Sequence, residues 1–406
     1  MTNRKTFIQA VVLVSMCVFM TLTAEAATVV QPDIRIGASY IKVETFGPGQ
    51  GQSDSGGQID ASIRLAYLDD RTTFSFTPKL MQTYYSGSGS LEREEQELSL
   101  AWSRLFKTGD SNIRADYSRK DLFSSEFEDF SPEPDVGDNQ SGVVGQGTRD
   151  RFSIRGGFSK QLSGRGDLVA DFTYLDNQYK DTGSVNRVDF DQATLSAGYR
   201  FRRSERFSVR ATAGGRQYNG NNNIEVDSIN GEVRAEWKWT EVRNIYLGIG
   251  FESLDATLQG QSIGSEDIIP FEFGVVTQTE RTMYNFNLAR YARPVSTGEF
   301  RDRLRASFQL QREISQRLTF LLGIAAYRED DLADTGGSNS RDYITGNIDI
   351  DWSLGPKWSL GLEYFHNEQR FDGVILSPDA IKSRDEFFLN IRFLGLDRTK
   401  SADSSP

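Results

Sequence analysis

The chain offers few side chains for acid–base catalysis, nucleophilic attack or zinc binding, because it contains a single histidine, His366, and a single cysteine, Cys17. Histidine is the commonest general base and a frequent zinc ligand, so His366 is the one candidate base for hydrolysis. In a strand, His366 would share the apolar face with Tyr364 and Leu362, pointing toward lipid or the outer rim. We therefore predict no enzyme activity, no cofactor and no metal site, and keep hydrolysis through His366 as an alternative.

A second candidate site consists of four arginines that interleave with apolar residues on consecutive segments. These are Arg200, Arg210, Arg216 and Arg234, called the basic stave below. In strands of one sheet they would share a polar face, where they could guide anionic sugars or other anions. The alternative is a set of cross-strand ion pairs, because Glu232 and Glu236 are interleaved with the arginines.

A third candidate is an acidic stretch within Leu122–Gly147 that contains no Lys or Arg. Its carboxylates are Glu126, Glu128, Asp129, Glu133, Asp135 and Asp138. If the fold encloses a channel, a loop of this length can fold inward as a plug or constriction of that channel. Otherwise it remains a solvated outer loop. It could also bind divalent cations that bridge to lipopolysaccharide phosphates. Its spacing lacks the Gly and closing Glu of an EF-hand loop, so no dedicated metal site is predicted.

The elements that carry these residues are strands, because apolar residues recur at every second position along most of the chain. Representative sets are Leu168, Ala170, Phe172, Tyr174 and Ile245, Leu247, Ile249, Phe251. Such a period of two gives each strand one apolar face and one polar face. No stretch shows a convincing helical period, so we predict an all-β fold.

The lengths of the strands and of their connections select the architecture. The alternation runs for roughly 9–13 residues, which is what a tilted strand needs to cross a bilayer. Short turns such as Ser163–Gly166 alternate with longer polar loops such as Asn219–Asp227. These features predict a transmembrane, antiparallel, up-and-down β-barrel of about 18 strands, with 16 as the alternative. The least regular strand, at 267–277, contains Pro270, and Pro78 is expected to mark a bulge.

The two ends of the chain look different from the rest. Arg4 and Lys5 precede an apolar run, and Ala24-Glu25-Ala26 follows it, as in a cleaved secretory signal peptide. We predict a signal peptide at 1–26, a barrel at 27–395 and a polar tail at 396–406. Cleavage would remove Cys17, which suits export into a disulfide-forming compartment.

Composition excludes several classes of protein. The net charge of −11 lacks the basic surplus of nucleic-acid-binding proteins. A single long apolar run excludes a polytopic helical membrane protein. The hydrophobic fraction of 37% resembles that of a soluble protein. In a barrel, however, only every second strand residue meets lipid, so a low average is compatible with a membrane location.

Two segments carry a resemblance to known families. Phe387, Leu389, Ile391 and Phe393 alternate and end on Phe, and they resemble the C-terminal assembly signal of outer-membrane proteins, although a polar tail follows. The chain also resembles outer-membrane porins associated with exopolysaccharide gene clusters. That resemblance is carried by the segment from Arg290 to Gly298, which leads to Asp302 and Arg303. The first resemblance implies contact with the barrel-assembly machinery, and the second implies contact with polysaccharide export components.

These observations predict a porin-like channel in the outer membrane of a Gram-negative bacterium. Its cargo would be an exported polysaccharide or passively diffusing hydrophilic and anionic solutes. Outer-membrane lipid and lipopolysaccharide are the expected surroundings, nucleic acid is not an expected partner, and the oligomeric state is left open. The alternatives are a closed structural or surface-interaction barrel with acidic extracellular loops, and a barrel hydrolase.

Overall fold

The computed structural model describes residues 27–45, 51–86, 93–122, 147–181, 187–294, 300–331, 340–372 and 381–395. The predicted signal peptide, the polar tail and the six acidic residues of the predicted plug loop lie outside these ranges. Among the described residues, no helix has the length and apolar character needed to cross a membrane.

The described chain consists of antiparallel strands in sequence order. They are β1 (Ala27–Thr45), β2 (Gly51–Leu68), β3 (Thr72–Tyr85), β4 (Arg93–Phe106), β5 (Gly109–Asp121), β6 (Thr148–Ser163), β7 (Gly166–Lys180), β8 (Phe190–Ser204), β9 (Phe207–Gly220), β10 (Ile224–Thr240), β11 (Arg243–Leu258), β12 (Gln261–Ile268), β13 (Phe271–Gln278), β14 (Thr282–Pro294), β15 (Phe300–Ser315), β16 (Leu318–Asp331), β17 (Ser340–Ser353), β18 (Trp358–Asp372) and β19 (Ile381–Leu394).

The sheet closes on itself because β1 pairs with both β2 and β19. Ile36, for example, lies between Ile59 of β2 and Ile391 of β19. The other strands follow one another around the wall, apart from the interruption at β12 and β13 described next. Closure leaves the sheet without long free edges, which is what a strand-built structure requires in lipid. The predicted all-β, up-and-down antiparallel barrel is confirmed.

The wall has 18 strand positions although the described chain has 19 strand segments. β12 and β13 both pair with β11, so they occupy one position in the wall, interrupted at Ile269–Pro270. Proline cannot donate to a ladder, so the pair Gly250–Pro270 keeps only one bond, from the Gly250 amide to the Pro270 carbonyl oxygen at 2.8 Å. The prediction of 18 strands is therefore confirmed and the alternative of 16 is wrong. The strand predicted at 267–277 begins earlier, at Gln261.

Two local expectations differ from the structure. The predicted loop Asn219–Asp227 is a tight connection between β9 and β10, in which Asn223 has a φ of 63°. These strands continue beyond the point where their outward residues stop being apolar, so hydropathy alone does not mark their ends. Pro78 interrupts the ladder between β2 and β3 without shifting its register, because Ser62 pairs with Lys79 and Leu65 with Phe76. The bulge expected there is absent from this ladder.

Candidate functional site in the barrel lumen

The outer surface carries large apolar side chains that are exposed rather than buried. Representative members are Leu195 (65% exposed), Leu247 (56%), Ile249 (59%) and Leu389 (52%). Trp237 and Trp239 stack with ring centroids 5.9 Å apart near a short turn, as in an interfacial aromatic girdle. A closed barrel with an apolar outer belt and aromatic girdle residues is built to face lipid. The protein is an outer-membrane β-barrel.

All connections are short at one end of the barrel, whereas the other end has the long separations between strands, such as Asp121 to Thr148, besides the tight connection between β9 and β10. The first end is the periplasmic one, because outer-membrane barrels carry short turns there and longer loops outside. The C-terminal ends of β7, β9 and β11, which lie beyond the apolar belt, are therefore on the extracellular side. The extracellular ends of β14 and β16 lie at Pro294 and Asp331.

The luminal face holds the basic stave, but the four arginines do not form one group. Arg200 is the register partner of Arg210, and Arg210 is the partner of Arg234, so these three lie in one row across β8, β9 and β10. Arg216 lies further along β9, between Thr194 and Ser228. The structure therefore brings three of the predicted residues together and places the fourth nearer the extracellular end.

Carboxylates accompany the arginines of this row. Arg210 forms an ion pair with Asp171, and Nη1 of Arg234 lies 2.8 Å from Oε2 of Glu272. The Arg234 guanidinium also lies 4.2 Å from the ring centroid of Tyr246. Paired charges of this kind keep a luminal wall hydrated and stiff. Guidance of anions by the basic stave stays a prediction.

A polar cavity of about 280 Å³ opens in the same part of the wall. Its lining is dominated by hydroxyl, amide and charged groups, namely Thr194, Ser196, Thr212, Asn230, Arg210, Arg234, Glu232 and Glu252. Such a surface offers both hydrogen-bond donors and acceptors, so it suits water and hydrophilic solutes.

The wall is interrupted beside β14. Between the periplasmic end and Pro270, β13 pairs with β14, and the last pair is Phe271 with Arg290. Beyond that pair, β14 from Tyr291 to Pro294 pairs with β15, and its other edge forms no ladder with the described residues of β12. Pro270 itself packs over Gly250, where a Cβ atom would lie 3.1 Å from the Cγ atom of the proline.

The free part of β14 and the start of β15 lie inside the barrel, and we call Tyr291–Pro294 with Phe300–Asp302 the inner hairpin tip. By alternation along their strands, Ala292 and Phe300 should face outward together with Leu304, which is exposed on the lipid-facing side. Ala292, however, is only 2% exposed. The ring of Phe300 meets that of Tyr218 edge-on at 5.1 Å, and Tyr218 points into the lumen from β9. The tip therefore packs against the luminal side of the neighbouring wall, formed by β7 to β12.

The surface that receives the tip is an apolar part of the lumen. Its buried residues are Leu175, Phe190, Tyr218, Val226, Leu254 and Ile268, which pack with Ala292 of the tip. Sequence reasoning missed this surface, although a signal for it exists. The apolar residues change strand face near the extracellular end, for example from Ile229 to Val226 in β10 and from Phe251 to Leu254 in β11.

One polar contact fastens the tip to this surface. Nη1 of Arg216 donates a hydrogen bond of 3.0 Å to the carbonyl oxygen of Ala292. Arg216 also forms a buried ion pair with Glu252, whose Oε1 accepts a bond of 2.9 Å from the Ser228 hydroxyl. A backbone acceptor left without a strand partner is thereby satisfied by a side chain.

The opposite face of the tip contributes to a buried charged group that we call the Glu329 cluster. Nε of Arg303 lies 2.6 Å from Oε1 of Glu329, and Nη1 of Arg341 lies 3.3 Å from Oε2. Nε of Arg293, within the tip, is 3.6 Å from Oε1 of the same carboxylate. The four side chains are 1–6% exposed. Sequence reasoning did not single out this cluster, because its members lie on β14, β15, β16 and β17.

The remaining predicted residues lie on the outward face of the barrel. Phe387, Leu389 and Ile391 are about half exposed on β19, and the Phe393 ring lies 5.0 Å from that of Trp358. Their reading as an assembly signal stays a prediction. Nδ1 of His366 lies 2.8 Å from Oδ1 of Asp385, also on the outward face. In the described part of the chain, no group of three or more His, Cys, Asp or Glu could hold a metal ion.

Comparisons with known proteins place the chain in no family. No protein-family model matches the sequence, and no curated protein matches it. Among solved structures, the chain is similar to Pseudomonas aeruginosa OccK2 (10% identity, TM-score 0.49), with coverage of 90% of this chain and 98% of that one. It is also similar to Acinetobacter baumannii OccAB3 (12%, 0.45), with coverage of 90% and 99%, and to the copper transporter OprC (9%, 0.45), with coverage of 92% and 81%. With TM-scores below 0.5, these likenesses carry no argument about solute or mechanism.

Proposed function

We propose that this barrel is a porin-like channel that passes hydrophilic solutes and favours anions near its extracellular end. An 18-strand barrel is wide enough for an aqueous channel. The observation that carries the proposal is the Glu329 cluster, in which Arg293, Arg303 and Arg341 surround one carboxylate on the luminal side. Among these four side chains the positive charges outnumber the negative ones, so the potential there favours anions.

Recordings in planar bilayers test this function. The purified protein should give discrete conductance steps, and a salt gradient should give a reversal potential of the sign expected for anion preference. Replacing Arg303 with Gln should shift that potential toward cations. Arg328→Gln is the matched control, because Arg328 lies one position from Glu329 on the outward face, where its partner is Asp330.

A finer form of the proposal is that the solute is an exported polysaccharide. Its support is the sequence resemblance of Arg290–Gly298, part of which forms the inner hairpin tip. Deleting the gene should lower the amount of polysaccharide on the cell surface, and the deletion strain complemented with the intact gene provides the control. Unchanged surface polysaccharide would contradict this form and leave passive diffusion of small solutes.

A closed surface-interaction barrel is the second candidate, and the inner hairpin tip favours it by occupying part of the lumen. It predicts no conductance for the intact protein, together with loss of surface binding when the acidic segment between Leu122 and Gly147 is deleted. Discrete conductance steps from the intact protein would contradict this candidate.

A further inference from the structure

We propose that the inner hairpin tip is a gate that moves between the lumen and the gap in the barrel wall, with Arg216 as its latch. The inference rests on the proposed channel function and adds the element that controls its opening. It starts from the one position in which the tip is observed and from a gap in the wall whose register and side-chain parity also match the tip.

The first place is the one seen in the structure. The apolar surface of the lumen covers Ala292, the ring of Tyr218 covers Phe300, and Arg216 binds the free carbonyl of Ala292. In this position the tip fills part of the lumen. The structure therefore shows the closed state of the gate.

The second place is the gap beside β12. If the ladder between β13 and β14 continued past the pair Phe271–Arg290 in the same register, Asp267 would lie opposite Pro294. The edge of β12 that faces this gap forms no ladder with the described residues of β14, so two strand edges are available to pair. Pairing would complete the wall and remove the tip from the lumen.

Side-chain parity supports the second place. In a continuous wall, Ala292 and Phe300 would face outward, on the same side as Leu304 (40% exposed) and Ile269 (57% exposed). The apolar side chains that now pack on the luminal surface would then extend the outer apolar surface. Both positions therefore offer Ala292 and Phe300 an apolar environment, as expected of a two-state element. The luminal apolar surface is covered only in the closed position, which favours closure.

The tip is built to move as one unit. Arg290 and Asp302 join β14 to β15 at its base through a bidentate contact, with Nη2 of Arg290 2.7 Å from Oδ2 of Asp302. Opening breaks the ring contact between Phe300 and Tyr218, the contact of the Arg216 guanidinium with the Phe300 ring, and the hydrogen bond from Arg216 to Ala292. A hydrogen bond from a charged donor is among the stronger ones, so this bond contributes to holding the gate closed.

Two cysteine pairs test the movement directly in the full-length protein. Tyr218→Cys with Phe300→Cys, bridged by a short bis-maleimide, should hold the gate closed and abolish the larger conductance steps. Asp267→Cys with Pro294→Cys should form a disulfide only when the tip is in the wall, because a disulfide needs Cα atoms about 4.4–6.8 Å apart. Oxidation should then fix the channel in its larger conductance state, and reduction should reverse this.

The single-cysteine variants are the controls for reagent effects. Absence of the Asp267–Pro294 disulfide in the folded barrel, during prolonged oxidation, would overturn the gate. Disulfide formation is read on gels and does not depend on conductance. If the disulfide forms while no variant conducts, the movement stands and the proposed channel function fails.

The latch is tested by Arg216→Met. We expect the ratio of open to closed dwell times to rise about tenfold, equivalent to ~1.4 kcal/mol. The double variant Arg216→Met with Glu252→Gln avoids a buried uncompensated carboxylate and should show the same increase. Arg210→Met is the control on the same face of β9, because its partner Asp171 is about half exposed. Equal dwell-time ratios in the latch variants and the control would overturn the role of Arg216.

Discussion

Nε of Arg303 lies 2.6 Å from Oε1 of Glu329, and both side chains are almost completely buried inside the barrel. Two further arginines, Arg293 and Arg341, approach the same carboxylate. Glu329 thus connects the inner hairpin tip on β14 with the neighbouring strands β15, β16 and β17. A buried carboxylate in this position both stabilises the arginines and sets the local charge of the lumen.

Glu329→Gln should destabilise the barrel and increase its preference for anions. Removing one partner from a buried ion pair typically costs about 3–5 kcal/mol. Unfolding in guanidinium and reversal potentials in bilayers measure the two effects. Asp330→Asn is the control, because Asp330 is on the outward face and half exposed. An unchanged reversal potential in the Glu329 variant would contradict the proposed role of the cluster in selectivity.

Arg210→Gln should change the anion preference much less than Arg303→Gln. Arg210 already forms an ion pair with Asp171, and both side chains are partly exposed to water, where such a pair contributes about 0–1 kcal/mol. The two variants should be compared by reversal potential at the same salt gradient. A larger shift for Arg210 would favour the basic stave as the selective element of the lumen.

Leu247→Arg should impair insertion of the barrel into membranes. Leu247 lies in the outer apolar belt with 56% of its surface exposed, and arginine near the bilayer midplane costs about 2–4 kcal/mol. Unfolding from lipid vesicles measures this cost. Asp255→Arg, on the same face of β11 but beyond the apolar belt, should have little effect. Equal destabilisation by both changes would argue that the belt does not contact lipid.

Phe393→Ala should reduce the amount of folded barrel in cells if β19 carries an assembly signal. The substitution also removes the ring contact with Trp358, so a control must distinguish lost packing from lost recognition by the assembly machinery. Phe286→Ala is the control, because Phe286 makes a comparable outward ring contact with Phe273 at 6.3 Å. Heat-modifiable mobility on gels reports folding. Equal losses from both variants would reduce the role of Phe393 to packing.

The architecture could be predicted from the sequence because alternation is a local property. Each strand residue faces the side opposite to its neighbours, so sets such as Ile245, Leu247 and Ile249 identify the lipid face without knowledge of the fold. The alternation of short and long connections then fixes the up-and-down order. The luminal parity of Arg200, Arg210 and Arg234 follows from the same rule.

The site could not be predicted in the same way, because it depends on contacts between distant segments. Arg216 and Ala292 are 76 positions apart in the chain, and Glu329 meets arginines from three other strands. The change of apolar face in β10 and β11 was visible in the sequence, but it does not tell what covers the inner apolar surface.

The sequence by itself therefore determined the class of fold and the side of most strands that meets lipid, since both follow from short-range periodicity. It indicated about 18 strands and left 16 open, because the strand around Pro270 does not alternate cleanly. Only the tertiary structure decided the strand number, the departure of β14 from its neighbour beyond the pair Phe271–Arg290, and the entry of the tip of β14 and β15 into the lumen. The physical reason is that a free backbone edge and an apolar surface must find partners, and which partners they find depends on how the barrel closes.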